Sequence, residues 1–479
     1  MGQGRRLLLT VTSVVSLAAA ATAAPSALVA GTTERVSVSS AEAQGNGPSV
    51  NPEISADGRF VLFNSEATNL AKSDANGPLR DVLLRDRHRG TTRLVNVSSK
   101  GVQGDDQSNG TFITHDGRYA AYTSLSANLV PGDTNGFVDA FLFDRKKGRT
   151  TRVSVGPGGV EGNADSFIAY LSTNGRFVAF YSFASNLDPA TGAGHSNLFV
   201  RDRLTGALTL ETRGLGGRPA DGPRSRVAAV INPSGRFVAF HSVSTNLVRR
   251  DTNGEQDVFR RDRSTGETVL VSVAADSGPA DGPSERGDMS RDGSLVVFSS
   301  LTTNLVPGGT TPGRQHCYLR NLRQGTTRLI DVAAAGGEPD GSCGVVVRLT
   351  PDGRHVAFNS IATDIVAGDA NGFADSFVLD RRTGEVALAS LAADGGQGDA
   401  HVSAFDLTIT PDGRQVAFAS AATNLIPRDT NGLPDVFVRT RVGEATAGDA
   451  AGAGGTPPAG PGPSESATAR WLEGGGETR

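Results

Sequence analysis

The chain has 479 residues, including 61 Gly and 23 Pro, a share that implies many turns but is too low for collagen or for wholesale disorder. Lys and Arg total 46 against 50 Asp and Glu, a net charge of −4, which excludes the basic excess of a nucleic-acid-binding domain. Such a length fits either roughly two to four ordinary domains or one large repeat array.

At the N-terminus, Arg5 and Arg6 precede an apolar run from Leu7 to Leu17, followed by small residues from Ala18 to Ala24. A charged start, a short apolar middle and an Ala-x-Ala end such as Ala21-Thr22-Ala23 predict a signal peptide over residues 1–30, cleaved at about 23–30. The run is too short for a bilayer span, and no later stretch approaches the roughly 18 apolar residues that a span needs. The mature chain is therefore expected to be secreted or extracytoplasmic, without a membrane span.

Residues 31–441 read as repeats. Asp-Gly-Arg, or a near variant, recurs with its glycine at Gly58, Gly117, Gly175, Gly235, Gly293, Gly353 and Gly413. Each is followed by an apolar stretch (FVLFNS, YAAYTS, FVAFYS, FVAFHS, LVVFSS, HVAFNS, QVAFAS), read as alternating with period two. A turn-rich segment, a second run such as AFLFDR, a turn such as RSTGET and a third run such as TTRVSV follow. With the short apolar segment before each Asp-Gly-Arg, this gives four strands per unit, A to D, and no helical stripe. Four antiparallel strands repeated seven times predict an all-β fold, a seven-bladed β-propeller. The seventh unit lacks its strand D, and Thr32 to Ser39 matches that segment. The N-terminal strand is thus expected to complete the last blade and close the ring, removing two open sheet edges.

The unit SxDGRxVAFxS…DVFVRDRxTG, over about residues 32–441, resembles the TolB-type propeller repeats, also found as the propeller of prolyl-oligopeptidase-like peptidases. The resemblance implies the fold. Neither the N-terminal domain of TolB nor a peptidase domain with a G-x-S-x-G elbow is found in the sequence.

Antiparallel order puts the D-to-A crossovers and B-to-C loops on one face, which is rich in Asp, and the A–B and C–D turns on the other, which is mixed to basic. The first face is expected to engage a protein or surface polymer, against the alternative that its acids are solvated turn residues. Its B-to-C loops carry Asp-x-Asn-Gly-x-x-Asp as Asp133, Asn135, Asp139; Asp251, Asn253, Asp257; Asp369, Asn371, Asp375; and Asp429, Asn431, Asp435, with a longer version at Asp74, Asn76 and Asp81. Oxygen side chains on alternate residues around a glycine suit Ca²⁺, although such a loop lacks the EF-hand's bidentate Glu. The same residues form metal-free Asx turns, and the sequence leaves both readings open; no other cofactor is indicated. The Asn of A-x-N-L (Asn69, Asn128, Asn186, Asn246, Asn304, Asn424) is expected to fix the same loop, and Cys317 and Cys343, in neighbouring blades on this face, are expected to form a disulfide.

No HxH or HExxH spacing occurs among the seven histidines, and no Asp-box is present. A non-catalytic binding or scaffold propeller, not an enzyme, is the leading reading; a glycoside hydrolase or lyase with carboxylates near the central channel is the alternative. An enzyme should break the seven-fold pattern at one place, in a deep pocket with perturbed carboxylates. Residues 442–479, rich in Ala, Gly and Pro, are expected to be a disordered tail.

Overall fold

The computed structural model describes residues 31–442, except 73, 190, 192–194 and 224–227, and gives the backbone alone at 111 and 286. The expected signal peptide and tail lie outside the described residues.

Seven four-stranded antiparallel sheets form the ring, each in chain order A-B-C-D. In blade 1 the strands are Ser49–Ile54, Phe60–Ser65, Asp81–Asp86 and Thr91–Leu94. Later blades begin at Ser108, Ser166, Ala229, Ser284, Cys343 and Val402. The last sheet has the order closing strand, C, B, A, and Gly31–Arg35 pairs antiparallel with Asp435–Arg441, setting Arg35 opposite Phe437. The backbone N–H of Val36 continues this edge by donating to the carbonyl of Val436.

The seven turn glycines all have φ between 63° and 75°, the left-handed region that only glycine enters without steric cost. They also touch the preceding blade. A Cβ on Gly117 would overlap the Phe60 ring, one on Gly235 the Phe177 ring, and one on Gly58 the Gln415 side chain, across the ring closure.

Strands B and C depart from the expected alternation. In blades 1 and 2 every residue of both is buried, because each blade is sandwiched between two others and has no solvated face. The apolar residues form seven clusters, one per blade interface: Val61, Phe63 and Leu83 meet Ala417, Val436 and Val438 at the closure, for example. In blades 2–7 an aromatic on B stacks on one of C, with centroids 5.4–5.8 Å apart, as for Phe418 and Phe437. Strands A pack against one another around the axis and line a central channel.

Candidate functional site

The Asp-x-Asn-Gly-x-x-Asp loops form one clasp used five times. The last Asp opens strand C, and its buried carboxylate accepts a hydrogen bond from a side chain two residues past the end of strand D: Asp81 from Asn96, Asp139 from Ser154, Asp257 from Ser272, Asp375 from Ser390, and, past the closing strand, Asp435 from Ser37. The Asn donates to that carboxylate and to a backbone carbonyl of the next crossover: Asn76 to Gly104, Asn135 to Gly162, Asn253 to Ala280, Asn371 to Gly398, and Asn431 to Gly45. The loop therefore ties neighbouring blades together.

The first Asp differs from blade to blade. Arg152 Nη1 lies 3.1 Å from Asp133 and 3.0 Å from Asp139. Arg35 Nη1 lies 3.5 Å from Asp429 and 3.3 Å from Asp435. In blade 1 the amide of Gln103 donates to Asp74 at 3.2 Å and to Asp81 at 2.8 Å. Asp251 and Asp369 are 7% and 8% exposed; no side chain donates to either carboxylate, and Asp369 is approached by the backbone N–H of Asn371. Burial, reinforced by the second Asp, pushes Asp251 up to about 6 and Asp369 up to about 7. Asp133 also rises to about 6, since burial outweighs Arg152.

The other acids of this face are turned into loop caps. Asp221, Asp281, Asp340 and Asp399 each accept both the backbone N–H and the hydroxyl of a threonine (Thr245, Thr303, Thr363, Thr423). Each A-x-N-L asparagine donates to a crossover carbonyl, as Asn128 does to Gln103. Blade 5 replaces the clasp. His316 opens its strand C, fully buried, with Nδ1 2.9 Å from Asp331 and Nε2 2.7 Å from Glu338. The next residue, Cys317, is disulfide-bonded to Cys343 at the start of strand A of blade 6, with the two Cα atoms 5.8 Å apart.

On the opposite face the arginines are also committed internally. The turn arginine pairs with the Asp ending strand C of its own blade: Arg59 with Asp86, Arg118 with Asp144, Arg176 with Asp202, Arg236 with Asp262 and Arg354 with Asp380, at 2.6–2.9 Å. The arginine after that Asp reaches back to the turn glycine and onto the preceding blade. Arg145 donates to the Gly117 carbonyl and lies 4.1 Å from the centroid of Phe60. Arg203 does the same with Gly175 and Tyr119.

The sequence placed carboxylates near a central channel as an alternative but named none of the residues that line it. The penultimate residue of strand A points to the axis and reads Glu53, Phe112, Tyr170, Val230, Asp288, Arg348 and Thr408 around the ring. The residue after it, which enters the sheet core, is Ile54, Ile113, Leu171, Ile231, Met289, Leu349 or Ile409. The regular position packs and the irregular one lines the axis; this contrast was the available signal. Arg348 Nη2 lies 2.7 Å from Glu53 Oε1, across the channel, and Arg348 Nε donates to the Leu407 carbonyl at 2.9 Å. Thr408 donates to Glu53 Oε2, while the backbone N–H groups of Met289 and Leu349 donate to the two oxygens of Asp288. Burial raises the pKa of both Glu53 and Asp288, opposed mainly by Arg348.

This ring divides the channel. On the B-to-C-loop side lies a cavity of about 600 Å³, lined among others by Asn51, Asn109, Phe167, Tyr181, Gln256, Glu285 and Phe405. On the other side lies one of about 80 Å³, near His115, Asn232 and Arg291. Glu53, Phe112 and Arg348 line both. Phe405 is 59% exposed, and Phe167 stacks on Tyr181 with centroids 5.0 Å apart.

Among the described residues, no helix is long and apolar enough to cross a membrane. No family model and no curated protein matches the chain. Among solved structures, an oligogalacturonate lyase in complex with manganese is similar at TM-score 0.50 and 13% identity, over 88% of this chain and 96% of that one. TolB from Acinetobacter baumannii aligns at TM-score 0.37 and 15% identity, over 80% and 81% of the two chains. The propeller domain of the Trilobed protease from Pyrococcus furiosus aligns at TM-score 0.48 and 10% identity, over 82% and 97%. The structural neighbours thus include a lyase, TolB and peptidase propellers; at these identities the likeness is one of fold, a seven-bladed β-propeller of four-stranded antiparallel sheets.

Proposed function

We propose that this chain is a non-catalytic, extracytoplasmic binding propeller whose ligand, an uncharged glycan segment of a surface polymer, enters the channel mouth rather than spreading over the acidic face. The observation that carries this reading is the cavity of about 600 Å³ above the irregular ring. It is concave, it breaks the seven-fold repeat, and it combines aromatic rings with a few polar groups, as ligand sites do. Phe405, Phe167 and Tyr181 offer apolar surface to sugar faces, while Asn51, Asn109 and Gln256 offer amides to hydroxyls. The loop acids, by contrast, are largely committed to clasps and caps. A non-catalytic role is favoured because both oxygens of Glu53 and both of Asp288 already accept hydrogen bonds.

The second reading, a glycoside hydrolase or lyase, draws on the raised Glu53 at the cavity floor and the raised Asp288 in the ring beneath it. One experiment separates the two: immobilised glycans, including galacturonate oligomers, are tested for retention of the protein and for release of cleaved product. Retention without cleavage, weakened at least tenfold by Phe405→Ala or Asn109→Ala, supports binding. Cleavage abolished by Glu53→Gln selects the enzyme. The absence of both retention and cleavage removes the glycan assignment.

A further inference from the structure

We propose that the Asp251–Asp257 pair of blade 4 and the Asp369–Asp375 pair of blade 6 bind Ca²⁺, and that the matching pairs of blades 2 and 7 do not. The inference is independent of what enters the channel.

The repeats supply internal controls. In blades 2 and 7 the fold places a positive charge between the two carboxylates. Arg152 Nη1 lies 3.1 and 3.0 Å from Asp133 and Asp139, and its Nη2 donates to the Gly132 carbonyl at 3.0 Å. Arg35 takes the same register in blade 7, opposite Phe437 as Arg152 is opposite Phe141. The fold therefore marks a cation position between the first and last Asp of the loop. In blades 4 and 6 that register holds Leu270, opposite Phe259, and Leu388, opposite Phe377.

The second way of satisfying the pair is also absent. In blade 1 the Gln103 amide serves both carboxylates. Its counterpart in blade 4 is Pro279, whose carbonyl accepts from Asn304 as that of Gln103 accepts from Asn128. In blade 6 the counterpart is Gln397, whose amide donates instead to the Gly368 carbonyl at 2.8 Å. Asp251 and Asp369 are thus left more than nine-tenths buried, beside a second carboxylate and with no side-chain donor on either oxygen, Asp251 having no donor at all and Asp369 only the backbone N–H of Asn371. A buried charge without a partner is costly, and cation binding removes that cost.

Hard carboxylate oxygens select a hard cation. Two carboxylates supply up to four of the roughly six to eight oxygens that Ca²⁺ takes, the rest coming from backbone carbonyls and water. Among the described residues no group of three or more His, Cys, Asp and Glu is placed around one metal position. The low ligand count points to the weak end of the calcium range, a Kd of about 0.1–1 mM.

The test is equilibrium dialysis of the full chain with radioactive Ca²⁺ up to about 5 mM, a span that covers that affinity range. The expected result is two ions per chain, falling to one in Asp251→Asn and to none with Asp369→Asn added. Because these variants act at a blade junction, a second pair carries the test if they fail to fold. Leu270→Arg with Leu388→Arg supplies the guanidinium of blades 2 and 7; it should fold, melt in EDTA no lower than wild type, and take up no calcium. No uptake by the wild type overturns the proposal, as does uptake undiminished in the folded arginine variant.

Discussion

Turn glycines answer two requirements at once. Gly117 has a φ of 63°, and its Cα faces the Phe60 ring of the preceding blade. Gly117→Ala adds left-handed backbone strain of about 1–2 kcal/mol and overpacking of about 1–3 kcal/mol. We expect a loss of about 2–5 kcal/mol in urea unfolding, against about 1–2 kcal/mol for Gly136→Ala, which shares the left-handed backbone (φ 68°) but whose added Cβ meets nothing within 4 Å. A similar cost at both positions would show that contact with Phe60 is not what constrains the turn. The sequence shows the glycine plainly, since it recurs seven times. It does not show that the same atom serves blade packing, because Phe60 lies 57 residues earlier and only the stacking of neighbouring blades brings the two together. Asp251 and Asp369 teach the converse. Their motif is the same as at Asp133 and Asp429, and the difference rests on Leu270 and Leu388, outside the motif.

At the scale of an element, blade 5 keeps the clasp position and reverses its charges. His316 stands where other blades place Asp, and Asp331 where they place Ser or Asn. Burial opposes protonation of His316, but Asp331 and Glu338 outweigh it and raise its pKa. Arg314 lies 3.9 Å from Glu338. A raised histidine contributes stability that is full below its unfolded value of about 6.5 and is lost as pH rises through the folded value. Melting temperature should therefore decline above about pH 7 more steeply in the wild type than in His316→Asn; parallel profiles would show that the imidazole is neutral throughout. A second expectation concerns the swap. His316→Asp combined with Asp331→Ser restores the arrangement of blades 4 and 6, and it should be more stable than the two single variants predict by about 1–3 kcal/mol. Additive losses would show that the two residues are not coupled. The pairing of Cys317 with Cys343 was legible from an even count and neighbouring blades; the histidine between two carboxylates was not, because its partners lie 15 and 22 residues away in the irregular crossover to blade 6.

Over the whole molecule, two features hold distant parts of the chain together. The closing strand covers the edge of the last blade, with Val36 in the cluster of Val436 and Val438. A chain beginning at Ser39 exposes the edge of Asp435–Arg441 and leaves Asp435 without Ser37. Exposed edges of this kind template aggregation, so size-exclusion chromatography should show aggregates and thermal unfolding should begin at lower temperature. A monomer with unchanged melting would mean that the closing strand is dispensable. The second feature is the channel ring, where Arg348 of blade 6 meets Glu53 of blade 1 across the axis. Arg348→Met leaves Glu53 and Asp288 without their counter-charge, and removing one partner of a buried pair costs about 3–5 kcal/mol. Urea unfolding should read that loss. A change within about 0.5 kcal/mol, as at an unconstrained surface position, would show that water already solvates the pair.

By itself the sequence determined the all-β class, the seven units, their four strands, the tight glycine turns and the strand that closes the ring. These follow from local pattern repeated at fixed spacing, and repetition averages out the irregular positions. Tertiary structure alone decided which strand is innermost, and so turned the irregular penultimate residues of strand A into one ring around the axis. It also decided which charges face one another. The loop acids look like one surface when read along the chain, but blade stacking turns most of them toward hydroxyls, amides and guanidinium groups whose positions depend on strand register and on the neighbouring blade.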